Sequence, residues 1–162
     1  MKKTKIFLNT WGAYNDGSIG YGWMTPGEAR EFIEEDEERD GGEWFIADID
    51  NYTGVKFANL EYCDVLEVIE TLETLEAMDD WERDEVVAIM EYQSTDDART
   101  AIDEKDDYII WSDVESYFDS MDQLLNFNGC DDIISRYFDY DAYHHDCMFD
   151  VYEASNGVVI AR

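Results

Sequence analysis

Basic residues are scarce in this chain of 162 residues: 11 Lys and Arg stand against 41 Asp and Glu, a formal net charge of −30 at pH 7. So few cations cannot build the basic face that clamps phosphates, which excludes direct nucleic-acid binding. Long hydrophobic runs are missing too. Nothing approaches the roughly 18 consecutive apolar residues of a membrane span. Lys2, Lys3 and Lys5 precede Ile6-Phe7-Leu8, but Asn9, Thr10 and Gly12 interrupt that run at once, so no secretory leader is expected. The cysteines, Cys63, Cys130 and Cys147, are odd in number, far apart and without a CxxC pair. A disulfide scaffold is not expected, and a reducing cytoplasm fits.

Apolar residues nonetheless make up 45% of the chain and aromatics 15%. High net charge is one half of the signature of disorder, and low hydrophobicity, the other half, is absent. The chain is therefore expected to fold with its charge outside. A soluble surface of this size needs a net charge of only about 2 to 8 in magnitude, so the excess calls for an explanation.

Charge is unevenly spread. Residues 1–60 hold 12 acids and 6 bases, residues 61–107 hold 18 and 3, and residues 108–162 hold 11 and 2. Half of the net charge thus falls in the middle segment. The pattern predicts an α+β protein: an elongated row of three small modules, with α+β at 1–60, acidic helices at 61–107 and α+β again at 108–162.

In the first segment Ile6-Phe7-Leu8 reads as a strand, Asn15-Asp16-Gly17 as a turn and Ile19 to Met24 as a returning strand. Thr25, Pro26 and Glu28 form a capping box that opens a helix to about Asp36. A loop at Glu37–Gly42 leads to a strand at Trp44–Ile49, with a turn from Asn51 to Gly54. In the middle segment Val65, Leu66, Val68, Ile69, Leu72, Leu75 and Met78 recur at helical spacing. A second helix starts at Asp79-Asp80 and buries Val86, Val87, Ile89 and Met90. A third is expected from Ser94, with Asp97 closing its capping box and Ala98, Ala101 and Ile102 packing. In the last segment Tyr108–Trp111 reads as a strand, and Ser112 with Glu115 caps a helix to Leu125. A break at Asn126–Gly129 follows, then one helix from Asp131-Asp132 to about Tyr143. A hairpin of Met148–Glu153 and Val158–Ile160 closes on Ser155-Asn156-Gly157.

The sharpest pattern lies in the middle. Glu61, Asp64, Glu67, Glu70, Glu73, Glu76 and Asp79 recur at steps of three, with no Lys or Arg between Lys56 and Arg83. On one helix each such like-charge neighbour costs about 0.2–0.5 kcal/mol, so the whole row costs on the order of 1–3 kcal/mol. An ordinary solvated helix interleaves cations. Steps of three advance about 4.5 Å and turn back about 60°, so the charges wind round the helix like one strand of a phosphate backbone. Duplex DNA carries one charge per about 1.7 Å, so 30 charges correspond to roughly 50 Å of duplex. A compact globule of this length spans only about 40 Å, which favours an elongated shape. The plain alternative is a solvated or halophilic acidic surface.

Other chemistries find little support. Among 41 carboxylates some pair always has glycosidase-like spacing, so such a pair carries no information. His144-His145-Asp146-Cys147 contains metal-capable residues, but neighbours point apart and no second ligand group stands out. Asp48 to Gly54 fails the EF-hand pattern, with Gly one place late and Tyr52 at the fifth position. Gly17, Gly20 and Gly22 lack the Gly-Lys-Ser/Thr of a phosphate loop. No enzyme, metal or cofactor is expected.

Two stretches point further. Ile6-Phe7-Leu8-Asn9-Thr10-Trp11-Gly12-Ala13-Tyr14-Asn15-Asp16-Gly17, followed by Gly20-Tyr21-Gly22-Trp23, resembles the opening of the ArdA antirestriction proteins. Tyr137-Phe138-Asp139-Tyr140-Asp141-Ala142-Tyr143 is similar to that family's Tyr-x-Asp-Tyr-x-Ala-Tyr segment, and the Ser155-Asn156-Gly157-Val158 hairpin is similar as well. The family often continues Gly-Arg-Asp where this chain has His144-His145-Asp146, which leaves the helix end and the nearby dimer contact open. The resemblance implies an elongated homodimer joined through its C-terminal parts. It also implies a mimic of bent B-form DNA that occupies the DNA-binding groove of type I restriction-modification enzymes, at their methyltransferase core. Such proteins travel on plasmids, transposons and phages.

The partner-facing ridge is then assigned to Glu61, Asp64, Glu67, Glu70, Glu73, Glu76, Asp79, Asp80, Glu82, Asp84 and Glu85. Asp103, Glu104, Asp106 and Asp107, with Asp113, Glu115, Asp119 and Asp122, extend it. Trp81, Trp111, Tyr137 and Tyr140 are expected in the core or the dimer seam. The alternative function is a generic acidic decoy or chaperone for other basic proteins.

Overall fold

The structure is a computed structural model that describes residues 3–162 apart from Tyr52, Asn128, Cys130 and Ser135, with Asp131 described by its backbone alone. The expectations for the turn at 51–54, the break at 126–129 and the Cys130 thiol therefore fall wholly or partly outside the described residues.

Strand β1 (Lys5–Thr10) alternates Ile6 and Leu8, both buried, with Phe7 on the opposite face. It lies between β2 (Gly22–Met24) and β3 (Trp44–Asp50) in an antiparallel sheet of order β2-β1-β3. A short helix α1 (Trp11–Asn15), which the sequence reading missed, follows β1 directly. Thr10 caps it by accepting the Ala13 amide at 3.2 Å. Gly12 is a poor helix former but is required there: a Cβ would sit 2.0 Å from the Asp40 carbonyl oxygen. Helix α2 (Pro26–Glu35) carries the expected capping box, with Glu28 Oε2 accepting from the Thr25 amide at 2.9 Å.

Helix α3 (Val65–Ala77) buries Val65, Val68, Ile69, Leu72 and Leu75, the expected helical stripe. Its first four buried positions pack with Ala29 and Ile33 of α2 on Ile6, Leu8 and Ile46 of the sheet. Leu75, one turn further on, enters a second core. There it meets Val86 and Ile89 of α4 (Asp80–Gln93) and Ala98 and Ala101 of α5 (Ala98–Asp103). Tyr108, Val158 and Ile160 complete that core. Each fully buried Leu, Ile or Val contributes about 1.5–3 kcal/mol. One helix thus fastens the N-terminal sheet to the C-terminal hairpin.

The second sheet has order β4-β6-β5, from β4 (Ile109–Trp111), β5 (Tyr152–Glu153) and β6 (Val159–Ala161). Helix α6 (Val114–Asp122) follows β4, and α7 (Asp131–Ile134) and α8 (Tyr140–Cys147) precede a short 3-10 turn at Met148–Asp150. Aromatic contacts hold α8 on α6. Phe118 stacks on the His144 ring at 4.1 Å, His144 Nε2 lies 2.8 Å from Asp122 Oδ1, and Tyr117 donates to the Cys147 carbonyl at 2.8 Å. The His144-His145 pair therefore continues the helix instead of ending it.

The α+β class is as expected, but several boundaries shift. Ser94 does not open α5; it ends α4 in a left-handed conformation (φ 54°), and Asp97 caps α5 through the Arg99 amide at 3.1 Å. Asp113, not Ser112, caps α6 by accepting the Ser116 amide at 2.7 Å, and α6 stops at Asp122. In both cases a carboxylate is the stronger acceptor for the first-turn amides. The expected single helix from 131 to 143 is two, because Asp139 starts α8 afresh by accepting the Ala142 amide at 3.0 Å.

The accessible surface is 9927 Å². A compact globule of 18.9 kDa exposes about 8,300 Å². The chain is correspondingly open in shape.

Candidate functional site

The row of acids at steps of three does not lie on one helix. Glu61 sits in the turn before α3, Asp64 is the cap of α3, and Asp79 is the cap of α4. Only Glu67, Glu70, Glu73 and Glu76 are within α3, so the intrahelical repulsion is about half of what the sequence implied. The start of α4 at Asp79 was legible in the sequence, but the turn at Glu61 and the cap at Asp64 were not, because side-chain caps and helix-interior acids share one spacing.

Those four residues wind across the exposed side of α3. Near its start Glu67 meets Arg99 at 3.4 Å; near its end Glu73 accepts from Arg30 of α2 at 2.7 Å. Glu76 accepts the Thr4 amide at 3.1 Å, ahead of β1. Glu67 and Glu70 line a cleft of about 270 Å³ with Thr71, Thr74, Arg99 and Asp103. Two stretches of the expected ridge, the α3 row and the 103–107 run, therefore meet in space between α3 and α5. Glu85 of α4 joins them through Lys105 at 2.5 Å. Glu104 and Asp107 face Arg162 at 3.8 and 3.9 Å. Asp106, Asp84 and Asp103 are exposed.

Other assigned acids perform local duties. Asp80 pairs with Arg83, and Glu82 closes a capping box by accepting the Asp79 amide at 2.9 Å. On α6, Asp113 is the cap and Asp122 holds His144, while Glu115 and Asp119 are exposed. No residue of α6 lines the α3–α5 cleft. Asp113 lies below the ordinary carboxylate range because the Ser116 amide and hydroxyl donate to it.

Sequence reasoning missed the bases that brace this surface. Arg99, with a side chain 17% exposed, donates to Asp97 at 2.5 and 2.9 Å and to the Ala58 carbonyl at 3.4 Å, and it faces Glu67. The guanidinium holds the Asp97 carboxyl below its usual range, and the Arg99 pKa rises in return. The signal was available: Arg99 is the sole base between Arg83 and Lys105. Glu91 is a second omission. It accepts from Tyr152 at 2.7 Å and from the Ser155 hydroxyl at 2.6 Å, which ties α4 to the last hairpin and lowers the Glu91 pKa, Ser155 contributing most.

The aromatic expectations divide. Trp111 packs edge-on to Tyr117 at 4.8 Å and Tyr140 on Phe138 at 4.8 Å. Tyr137 is 85% exposed and Trp81 also reaches solvent, so neither belongs to the core within this chain. Among the described residues no three His, Cys, Asp or Glu side chains converge as metal ligands, and no helix is long and apolar enough to cross a membrane.

Arg30, Arg83, Arg99 and Lys105 are partly buried in ion pairs while most acids stand out and far outnumber the cations, so self-repulsion opposes folding. The melting temperature should rise as sodium chloride increases from about 0.02 to about 0.5 M, over which the screening length falls several-fold. Differential scanning fluorimetry reads this directly, and a flat response would mean that the braces already compensate the acids.

A search among curated proteins finds no match. A family model described as antirestriction protein (ArdA) matches residues 6–160.

Proposed function

The chain belongs to the ArdA antirestriction family, and from that premise we propose that it acts as a mimic of B-form DNA. It fills the DNA-binding groove of type I restriction-modification enzymes at the methyltransferase core. The observation that carries this reading is the convergence of Glu67, Glu70 and Asp103 from two helices beside a guanidinium held low in the surface. Carboxylates a few ångströms apart on a winding line offer Lys and Arg what phosphates offer them. Long-range attraction then speeds capture and orients the encounter. Inhibition needs no catalytic group, and the reading assigns none.

The open shape supports an elongated arrangement of parts at 1–60, 61–107 and 108–162, although the two cores described above bridge them. Exposed Leu124, Ile133 and Tyr137 support a homodimer contact in the C-terminal part, in a cytoplasmic protein.

The test is a competition titration. A type I methyltransferase core is bound to a labelled duplex, and this protein is added at two salt concentrations. Displacement near one dimer per enzyme is expected. Single changes such as Glu70→Ala should shift the midpoint less than about fivefold, because an exposed charge pair is worth about 0.2–1 kcal/mol. Binding to basic proteins of any kind that vanishes by about 0.2 M salt would favour the acidic decoy instead.

A further inference from the structure

On the face of the first sheet turned away from α2 and α3, aromatic rings enclose a half-open pocket of about 300 Å³. Trp11 and Tyr14 come from α1 and Phe45 from β3, with Asn9 of β1 on the floor and Glu61 at the edge. Trp11 stacks on Phe45 at 4.4 Å and faces Tyr62 at 6.1 Å with planes inclined by 29°. Tyr14 stands edge-on to Trp11 at 5.7 Å. Tyr62 is 81% exposed and Tyr14 57% exposed, so neither ring is held there by burial.

We propose that this pocket receives an arginine side chain of a protein partner, its guanidinium lying on the aromatic faces and paired with Glu61. Three observations select that occupant. Anionic and phosphate-bearing ligands are repelled by a chain of net charge −30. The electron-rich ring faces attract a cation, and a planar guanidinium stacks on them where a hydrated ammonium does not. The chain uses the same arrangement internally, with the Arg39 guanidinium 4.4 Å from the centre of the Phe32 ring. The first acid of the sequence row is thereby given a place apart from the α3–α5 cleft. The site recognises a side chain rather than a line of phosphate-binding groups, so it stands whether or not the acids imitate DNA.

The experiment titrates the full-length protein with acetyl-Gly-Arg-Gly-amide, and separately with its lysine and citrulline counterparts. The indole N–H of Trp11 is followed by nuclear magnetic resonance. The arginine peptide should shift that signal saturably, with the lysine peptide about fivefold or more weaker and the neutral citrulline peptide weaker still. Tyr14→Ala, at an exposed position that lines the pocket, should weaken the arginine peptide about fivefold while leaving the rest of the spectrum unchanged, and Tyr14→Phe should restore it. Glu61→Gln should narrow the gap between arginine and citrulline. Equal shifts from arginine and lysine would reduce the effect to general charge attraction and overturn the proposal. So would an absent response, or a Tyr14→Ala protein that binds arginine unchanged.

Discussion

Reversing Glu70, Asp84, Asp103 and Asp106 together to lysine should abolish displacement of DNA from the methyltransferase core, moving the midpoint by more than about 100-fold. All four are exposed, and none of their carboxylates is a partner in a described ion pair or cap. Each reversal removes one attraction of about 0.2–1 kcal/mol and adds a repulsion of similar size. Four of them therefore total about 2–8 kcal/mol, and since each 1.4 kcal/mol is tenfold in affinity, the middle of that range, about 5 kcal/mol, lies well beyond a 100-fold loss. The fold should survive, because the changes relieve self-repulsion. A matched protein with Glu31, Glu34, Glu35 and Glu37 reversed undergoes the same change in net charge on and just after α2. It should keep most of its activity. Equal loss in both would show that total charge, not the arrangement round α3 and α5, governs inhibition.

Arg99→Leu should be the most damaging single change to a charged residue, costing about 2–3 kcal/mol, somewhat less than the 3–5 kcal/mol for a fully buried pair. It leaves Asp97, whose side chain is 17% exposed, facing Glu67 with no cation between them, and it frees the Ala58 carbonyl. For a chain of this size that corresponds to a melting temperature lower by roughly 4–12 °C. Arg99→Lys should recover only part, since an ammonium cannot make the two parallel bonds to Asp97. The sign with pH follows from the depressed Asp97 pKa. The stabilisation is fully present above the ordinary carboxylate value of about 3.9 and is lost as pH falls through the lower folded value. The gap between wild type and Arg99→Leu should therefore close in acid. A gap that stays constant from pH 7 to pH 2 would show that Arg99 acts by packing alone.

Much of the fold was legible in the chain. Local signals succeed where one or two neighbouring residues satisfy backbone groups. Thr25, Pro26 and Glu28 start α2, Asp79 starts α4, and Ser155 to Gly157 turn the last hairpin. They fail where two acceptors compete within a few residues, as Ser94 with Asp97 and Ser112 with Asp113. In each pair the carboxylate took the amides.

The sequence by itself determined the excess of negative charge, the α+β class, the apolar stripe of α3 and the family resemblance at both ends. These depend on composition and on contacts within a few residues, which spacing encodes directly. Tertiary structure alone decided which acids are free. Glu67 and Glu73 look alike in the row, yet one faces Arg99, 32 residues away, and the other Arg30, 43 residues away. It also decided that Asp103 shares a cleft with Glu70, and that Glu61 leaves the row to border the aromatic pocket. The reason is physical. A residue's type sets its charge, but only chain folding sets which opposite charge comes within a few ångströms of it, and Coulomb energy depends on that distance.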